Sequence, residues 1–562
     1  MSGFGHGSVG TREQAFTNLL HLRKEDYPTH QLVQLAKNIK GAVDTVKDGP
    51  DPEENLWVSA GYTYFGQFID HDLTFDNTSS LNPADDGEED RLPTNLRTPR
   101  FDLDSLYGDG PDAQPFLYAE DGASLLFKDS NQSQSQTTYE QATQDLLRSP
   151  NGRAIIGDKR NDENSIISQI QLAFVKYHNA VVKKISKDDE TLTGTALFNQ
   201  ARNEVRWTYQ KLVIEDFLPR IVKAEVFADL QEATTPKERK NLYALYTHHK
   251  RQNLPREFVV AAYRFGHSGV RTGYRLNKET SLTIFPSSED PKPDNDSLLG
   301  FEPLPKAHVI DDWSRFFPNT QPGVFTHEDR SKAADDTINT EVRLQFAYKI
   351  DTTLVDPLGV LPPKVLPTSA TVGGLVKEVE DTIGPKDTLT DEVAHPPRPS
   401  LALLNLLRGN TYKVQGGQAI AHALQRKKFP VEVLEPKYLS TRQPAEDKDK
   451  FFQFEQIDSS LQRDTPLWFY ILAEAQASVV DAIELEADGT FNEKQLLKGD
   501  GAKTQLGWVG GRIIAEVFYG LLDSDRESYF NGVPEGWKPI LGGNGEVIFA
   551  NLLKFAGLTV GN

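Results

Sequence analysis

The sequence predicts a mainly α-helical protein with long loops and few short strands. Its 562 residues are 38% hydrophobic and 10% aromatic, which is enough for a large buried core. Apolar residues recur at three- and four-residue steps in several segments, the pattern of helices with one buried face. Only isolated runs, such as residues 546–549, resemble strands, and the chain has no repeats. By length, it could hold three or four domains or form one large helical domain.

The helices follow from this periodicity in chain order. The clearest spans residues 166–185, where Ile170, Phe174 and His178 follow one another at four-residue steps. Thr465 followed by Pro466 is typical of an N-cap and a first helical position. Further helices are predicted over residues 203–222, 257–269, 400–407, 465–474 and 509–522. Polar, proline-rich or serine-rich stretches are expected to be surface loops between helices, at residues 82–90, 129–138, 286–297 and 395–400.

Composition excludes several classes of function. The chain has 61 basic and 81 acidic residues and a formal net charge of -20, which disfavours nucleic acid or anionic membrane as a partner. It has no cysteine, so disulfides, thiolate zinc sites, iron–sulfur clusters and c-type haem attachment are excluded. Met1 is the only methionine. A chain without internal sulfur tolerates oxidants, although drift in composition is an equal explanation.

The N-terminal residues bear on location. Residues 1–18 lack the apolar core of a signal peptide, and no apolar run approaches the length of a membrane span. We therefore expect a cytoplasmic protein or one exported by an unconventional route.

The segment 61–75 contains the most informative polar residues. On a helix, Gln67, Asp70 and His71 lie at positions i, i+3 and i+4 and share one face. An amide, a carboxylate and an imidazole on the inward face of an aromatic helix need a polar partner in the interior. Asp72 points elsewhere and could serve a different site. The alternative is a hydrogen-bonded core histidine with carboxylate neighbours.

In two other segments, an arginine lies three residues before a carboxylate or an imidazole. Arg160 and Glu163 project together if their turn is helical, and the alternative is a capping network before the long helix. Arg264 and His267 have the same spacing, with small residues around them that let a flat, bulky cofactor approach an axial histidine. A core histidine with an exposed arginine is the alternative there.

The apolar run 401–408 carries two polar side chains, Asn405 and Arg408. A buried amide needs a hydrogen-bond partner, and a metal-ligating histidine needs an acceptor for its other ring nitrogen. A hydrogen bond between such an amide and such a histidine would meet both requirements.

The segment 98–108 is rich in oxygen donors. Thr98, Asp102 and Asp104, with a backbone carbonyl between them, suit a hard cation that takes six to eight oxygen ligands, and Asp72 could complete the set. A solvated acidic turn is the alternative.

Taken together, these segments resemble the animal-type haem peroxidases of the peroxidase–cyclooxygenase superfamily. The resemblance keeps the family order along most of the chain, through Gly-Gln-Phe-Ile-Asp-His-Asp, Leu-Tyr-Gly, Gly-Asp-Lys-Arg-Asn-Asp-Glu, Tyr-Arg-Phe-Gly-His and Leu-Leu-Asn-Leu-Leu-Arg. The runs that begin at Thr465 and Leu506 resemble those of bacterial members. The resemblance implies a large catalytic domain over residues 51–562, with haem buried between central helices, and an N-terminal extension over residues 1–50 that packs on it.

The resemblance also implies roles for individual residues. His71 is expected to be the distal base above the haem iron, with Gln67 beside it and Arg160 as the distal cation. His267 is expected to be the proximal iron ligand and to donate a hydrogen bond to Asn405. The other haem contacts implied are ester bonds and haem-side arginines, from Asp70, Glu163, Arg264 and Arg408. A calcium ion would be held by Asp72, Thr98, the carbonyl of Arg100, Asp102 and Asp104.

The implied activity is reduction of hydrogen peroxide through an oxyferryl intermediate, with oxidation of halides, thiocyanate, phenols or aromatic amines and a role in the response to oxidative stress. Haem b would be ester-linked, but no sulfonium bond can form because Asn164 stands where some members have a methionine. The fatty-acid dioxygenases of the superfamily have a radical tyrosine three residues before the proximal histidine. Here that position is Arg264 and Tyr263 precedes it, which favours a peroxidase. A haem-stabilised adhesion protein without turnover is disfavoured because the chain has no adhesive repeats.

Overall fold

Helices dominate the part of the chain that the structure describes. The structure is a computed structural model, and it describes residues 14–21, 24, 26–39, 51–75, 94–95, 97–129, 137, 139–247, 253–286, 296–322, 343–359, 361, 400–445 and 451–561. The predicted mainly α class with few short strands is confirmed. The surface loops predicted at residues 82–90, 129–138, 286–297 and 395–400 lie almost entirely outside the described residues.

The α-helices are α1 Thr29–Asn38, α2 Ala60–Leu73, α3 Asp104–Tyr107, α4 Ser165–Asp188, α5 Gly194–Leu212, α6 Leu218–Ile221, α7 Ala224–Glu232, α8 Pro236–Arg239, α9 Arg256–Val260, α10 Leu401–Thr411, α11 Gly417–Arg426, α12 Leu467–Ala482, α13 Trp508–Ser524 and α14 Phe549–Phe555. Short 3₁₀ helices at Lys159–Asp162 and Ala262–His267 matter for the site described below. No helix in the described ranges combines the length and the apolar character needed to cross a membrane.

The strands are short and pair only in antiparallel fashion within the described ranges. They are β1 Gln14–Ala15, β2 Glu54–Ser59, β3 Thr94–Asn95, β4 Phe127–Asp129, β5 Gln144–Leu146, β6 Gly273–Arg275, β7 Ser281–Thr283, β8 Phe346–Tyr348, β9 Ser440–Pro444, β10 Phe451–Gln456 and β11 Thr490–Asn492. The pairs are β1 with β3, β2 with β8, β4 with β5 and β6 with β7, and β10 lies between β9 and β11. These short sheets are therefore minor additions to a core that is made of helices.

The core is centred on the packing of α2 against α4. The rings of Phe68 and Phe174 stack with their centroids 4.6 Å apart, and the ring of Phe65 lies 4.6 Å from that of Phe549. Gly61 allows the start of α2 to approach the chain closely, because a Cβ there would lie 2.5 Å from the carbonyl oxygen of Phe316. These contacts fix the aromatic face of α2 in the core, and they therefore also fix where its polar residues lie.

Most predicted helices form, with different ends. The segment 166–185 is α4, capped by the Asn164 side chain, which accepts from the N–H groups of Ile166 and Ile167. The helix predicted over 203–222 starts nine residues earlier and continues through a π-helix, Val213–Phe217, into α6. A wider turn of this kind lets a helix accommodate a proline, here Pro219. The predictions 400–407, 465–474 and 509–522 correspond to α10, α12 and α13.

Three local predictions are wrong. Residues 257–269 do not form one helix, because Ala261 leaves the helical region (φ -131°, ψ -69°) and the chain tightens into the 3₁₀ helix Ala262–His267. Residues 546–549 are not a strand, since Phe549 begins α14. Thr465 is not an N-cap, because its hydroxyl donates to the carbonyl of Leu461 and Pro466 occupies the cap position.

The N-terminal segment that is described, residues 14–39, packs on two elements from much later in the chain. The buried carboxylate of Glu257 accepts from the N–H groups of Leu19 and Leu20. The N–H of Tyr27 donates to the side chain of Asn410, and α1 packs on α10. The segment thus lies against the helix that carries Asn405 and Arg408.

Candidate active site

The structure brings Gln67, His71, Arg160 and Glu163 together, whereas their spacing predicted only that Gln67 lies beside His71 and Arg160 beside Glu163. Helix α2 presents Gln67 and His71 to the 3₁₀ helix Lys159–Asp162 and to Glu163, which follows it. The amide nitrogen of Gln67 donates to Oε1 of Glu163. Nε2 of His71 lies 3.8 Å from the same carboxylate oxygen.

His71 is oriented by a residue that sequence reasoning did not single out. Its Nδ1 lies 2.7 Å from the side-chain oxygen of Asn161, which can only accept. The proton is therefore on Nδ1 and the lone pair is on Nε2. The amide nitrogen of Asn161 in turn donates to Oε1 of Gln171 at 2.9 Å.

Burial sets the charge state of this group. Burial, and then the positive charge of Arg160, lower the pKa of His71 to about 4, so its imidazole is neutral at physiological pH. Burial raises the pKa of Glu163 to about 7, against the opposing effect of Arg160. The site thus combines a neutral base with a carboxyl group that is partly protonated near neutrality.

Arg160 is held on the backbone of α2. Its Nη2 donates to the carbonyl of His71 at 3.0 Å and to the carbonyl of Thr74, and the guanidinium pairs with Asp158 at 2.8 Å. It also lies 4.7 Å from the ring centroid of Phe75. Arg160 is therefore a fixed cation beside His71.

The remaining residues of this face are Asp70 and Asn164. Oδ1 of Asp70 accepts from the hydroxyl of Thr74 at 3.1 Å. Asn164 caps α4 through its oxygen, and its amide nitrogen lies 3.4 Å from Oε1 of Gln67. Both the nitrogen and the oxygen of the Gln67 amide therefore have a hydrogen-bond partner.

A second histidine lies on the 3₁₀ helix Ala262–His267. Residues three apart eclipse in a 3₁₀ helix, so Arg264 and His267 share a face although the predicted α-helix is broken. Burial, and then the charges of Arg264 and Arg408, lower the pKa of His267 to about 3. Asn405 lies beside His267, as predicted, with its amide nitrogen 2.9 Å from Nδ1.

The direction of that hydrogen bond differs from the prediction. The amide nitrogen of Asn405 donates to Nδ1 of His267, so the imidazole proton is on Nε2. The predicted donation from His267 to Asn405 requires the amide to turn by 180°, a change that leaves its shape the same.

The surroundings of His267 contain open space and two cationic side chains. A Cβ added at Gly266 or at Gly409 would meet no described atom within 4 Å. Nε of Arg408 is buried and has no hydrogen-bond partner among the described residues. Nε of Arg264 donates to the carbonyl of Val259 at 3.2 Å. A flat, anionic group beside His267 would meet both open space and positive charge.

The predicted cation residues gather in one loop next to His71. Carboxylate oxygens of Asp72, Asp102 and Asp104 lie within 4.8 Å of one another. The Thr98 hydroxyl donates to Asp102 at 2.7 Å, and the N–H of Arg100 donates to the carbonyl of Thr98 at 2.8 Å, so the loop is tightly wound. Burial, and then Asp102 and Asp104, raise the pKa of Asp72 well above its usual range. Asp72 thus lies close to two like charges.

Two residues that the sequence analysis missed adjoin this cluster. Tyr209 is buried beside Asp72, and burial and then the charge of Asp72 raise the pKa of its hydroxyl well above its usual range. Arg97 pairs with Asp104 at 3.3 Å and with Asp158 at 2.6 Å. Asp158 also pairs with Arg160, so an ion-pair chain joins the cluster to Arg160. No spacing within the sequence pointed to Arg97 or Tyr209, because both act across long separations.

Comparison with known proteins gives the family. Residues 78–296 match the family described as animal haem peroxidase, and this stretch contains Arg160, Glu163, His267 and the acidic loop. This stretch of the chain is therefore similar to an animal haem peroxidase domain. Dual oxidase 1 of Caenorhabditis elegans is 28% identical over 139 residues, which are 25% of this chain and 8% of that protein. Peroxidase mlt-7 of the same organism is 24% identical over 119 residues, 21% of this chain and 15% of that protein.

The chain thus spans only a small part of the length of the curated relatives that it matches. Over 92% of its length, the chain has the fold of Peroxidase A from Dictyostelium discoideum, with a TM-score of 0.52, 13% identity and coverage of 89% of that chain. At this identity the similarity supports the fold. His71 and Asn405 lie outside the residues matched to the family, so only the geometry given above places them with the other site residues.

Proposed function

We propose that this chain is a haem peroxidase that reduces hydrogen peroxide and oxidises halides, thiocyanate or small phenolic and aromatic-amine donors. The observation that carries the proposal is the buried, neutral His71, with its Nε2 lone pair free and Arg160 fixed beside it. The match of residues 78–296 to the animal haem peroxidase family supports it.

The residues around His267 fit a haem. A neutral imidazole would ligate the iron through Nε2, and the buried, unpartnered Nε of Arg408 and the guanidinium of Arg264 would face its propionates. When bound, the haem would supply an iron centre that takes an oxygen atom from peroxide and stores two oxidising equivalents. Ligation through Nε2 moves the imidazole proton to Nδ1, and we propose that the Asn405 amide then turns its oxygen towards it.

On the distal side, His71 would move the proton on which peroxide chemistry depends. Nε2 takes a proton from hydrogen peroxide and returns it to the far oxygen, which leaves as water. Arg160 stabilises the charge that develops, since most of its donors are already fixed on Asp158 and on the backbone of α2. The site needs no reorganisation for this step.

Asp70 and Glu163 are the proposed ester partners of the haem. The pKa of about 7 for Glu163 means that much of this carboxyl is protonated near neutrality, so forming a neutral ester would cost little charge solvation. Each ester would replace the carboxyl proton and one hydrogen of a haem methyl group, with hydrogen peroxide as the two-electron oxidant that is reduced to water. Asp70 is one helical turn from Gln67 on the same face of α2. Because Asn164 has no sulfur, at most these two covalent links can form.

Calcium is the cation we propose for the acidic loop. Carboxylate oxygens of Asp72, Asp102 and Asp104 lie within 4.8 Å of one another, and with the Thr98 side chain and the Arg100 carbonyl they would supply the oxygen ligands that calcium prefers. Asp72 follows His71 directly in α2, so a bound cation would fix the helix that carries the base.

The proposal is tested with haem-loaded protein and two variants. Hydrogen peroxide is expected to react with the wild type, and about 100-fold more slowly or worse with His71→Ala, because general base catalysis of this kind contributes at least that factor. His422→Gln changes an exposed histidine and serves as the control. An unchanged rate in His71→Ala would contradict the assignment of the base.

Two further measurements separate the alternatives. After peroxide treatment, extraction with acidified acetone is expected to leave haem on the wild type and to remove more of it from Asp70→Asn and Glu163→Gln. Oxygen uptake with linoleate and no requirement for peroxide would favour the dioxygenase, and absence of any donor oxidation would favour a protein without turnover.

A further inference from the structure

We propose that Asn161 sets the tautomer of His71, and that Gln171 holds Asn161 in the orientation this requires. The inference rests on the proposed function, because a distal base works only if its reactive nitrogen carries no proton. It concerns two residues outside the set that resemblance assigned.

Two acceptors compete for the single proton of the neutral His71 ring. The Asn161 oxygen lies 2.7 Å from Nδ1, and Oε1 of Glu163 lies 3.8 Å from Nε2. A proton on Nε2 would face Glu163 and would occupy the position that must accept a proton from peroxide. The tautomer is set by the shorter contact, because the hydrogen bond at one ring nitrogen fixes the protonation of the other.

The amide suits this task better than a carboxylate would. Both an amide oxygen and a carboxylate accept the proton on Nδ1, but a carboxylate would also raise the pKa of the ring and so narrow the pH range in which Nε2 stays free. Asn161 and Gln171 are both buried, so water does not compete for either side chain.

Gln171 determines which end of the Asn161 amide faces His71. Oε1 of Gln171 accepts from the amide nitrogen of Asn161 at 2.9 Å, which leaves the Asn161 oxygen for Nδ1. Gln171 lies on α4, the helix that also packs on α2, so the three side chains are held by elements of the core. Asn161 and Gln171 are therefore positioning residues that act through His71.

The first test reads the tautomer directly in protein without haem. The ¹⁵N shifts of the His71 ring, assigned by comparison with His71→Gln, are expected to show a proton on Nδ1 in the wild type. Asn161→Asp keeps an acceptor at this position and is expected to keep that proton. Asn161→Leu, of similar volume, is expected to move it to Nε2. A proton that stays on Nδ1 in Asn161→Leu, or that lies on Nε2 in the wild type, would overturn the proposal.

The second test uses haem-loaded protein and stopped-flow kinetics. The rate constant for hydrogen peroxide is expected to fall about 100-fold in Asn161→Leu and less than about 10-fold in Asn161→Asp, because only the former removes the acceptor. Equal rates in the two variants would contradict the proposal. Asn551→Leu removes another buried asparagine, bonded to Asn544 and Glu546, and controls for general loss of packing and hydrogen bonds.

The two tests fail in different ways. If the wild type does not react with peroxide, the proposed function is wrong, while the ring shifts still decide whether Asn161 sets the tautomer. If the wild type reacts but the shifts do not move in Asn161→Leu, the proposed function stands and the role of Asn161 is wrong. Unfolding temperatures of all variants show which of them keep the fold.

Discussion

The two histidines of the site each bond an asparagine, but with opposite polarity. His71 donates from Nδ1 to the oxygen of Asn161, whereas the nitrogen of Asn405 donates to Nδ1 of His267. The first pair leaves a lone pair on Nε2, as a base needs. The second leaves a proton on Nε2 of His267, which must move before a metal can bind there.

Asn405 gives a prediction about the iron that His267 is proposed to bind. In Asn405→Asp, the carboxylate accepts strongly from Nδ1, so the imidazole donates more electron density and the iron(III)/iron(II) reduction potential should fall. Asn405→Leu removes the acceptor, so the reduction potential of this variant should be higher than that of Asn405→Asp. Spectroelectrochemical titration of the haem-loaded proteins measures this, and equal potentials in both variants would show that the contact has no electronic effect.

Asn164 gives a prediction about stability. Its oxygen accepts from the first N–H groups of α4, so Asn164→Ala should lower the free energy of unfolding by about 1 kcal/mol, the usual cost of losing an N-cap. Asn164→Asp keeps the cap and should lose much less. Denaturant unfolding of both variants checks this, and an equal loss would mean that the amide contact with Gln67, which Asp cannot make, dominates.

At the scale of elements, two 3₁₀ helices carry the proposed chemistry. Arg160 with Glu163 and Arg264 with His267 are each three residues apart, and this spacing predicts a shared face in an α-helix and more strongly in a 3₁₀ helix. The shared faces were therefore predictable, although the helix type was not. The break at Ala261 has no local marker such as proline, since it depends on packing across the chain.

The ion-pair chain from the acidic loop to Arg160 gives a prediction about the cation. Chelation is expected to lower the unfolding temperature and slow the reaction with peroxide, and added calcium should restore both. In Arg97→Gln, which breaks the link between Asp104 and Asp158, chelation should still lower the unfolding temperature but should slow the peroxide reaction less. A calcium response that survives in Asp102→Asn/Asp104→Asn would place the cation elsewhere.

At the scale of the whole molecule, His178 makes global stability depend on pH. It is buried, with Nδ1 bonded to the Tyr107 hydroxyl and Nε2 to the Ala123 carbonyl. Burial lowers its pKa to about 4, from 6.5 in an exposed chain. The unfolded chain therefore binds the proton first on acidification, so this contribution is complete above pH 6.5 and is lost between pH 6.5 and 4.

The size of this loss is roughly 3 kcal/mol, at 1.36 kcal/mol for each pKa unit. His178→Gln keeps a donor and an acceptor without a titrating group and is the matched control. Urea unfolding at pH 7 and at pH 4 should show the wild type losing about 3 kcal/mol more than the variant. Parallel losses in both proteins would contradict this role of His178.

Features that depend on neighbouring residues could be predicted from the sequence, whereas contacts between residues far apart along the chain could not. The helix α4 follows from its apolar periodicity, and the shared faces follow from spacing. Asn161 bonds His71, ninety residues before it, and Gln171 bonds Asn161, so no window of sequence contains the network. Arg97 and Tyr209 were missed for the same reason. The family resemblance supplied the positions of His71, His267 and Asn405, but not the direction of the bond between the last two.

The contacts of the N-terminal segment have a consequence for the order in which the site is built during synthesis. His71, Asn161 and Gln171 all lie within residues 60–188, so their hydrogen bonds can form early, although α2 meets Phe549 only when the end of the chain has been made. His267 must wait for Asn405, 138 residues later, and Tyr27 must wait for Asn410, 383 residues later. Contacts of such separation form slowly. The surroundings of His267 are therefore completed later in synthesis than the hydrogen bonds of His71.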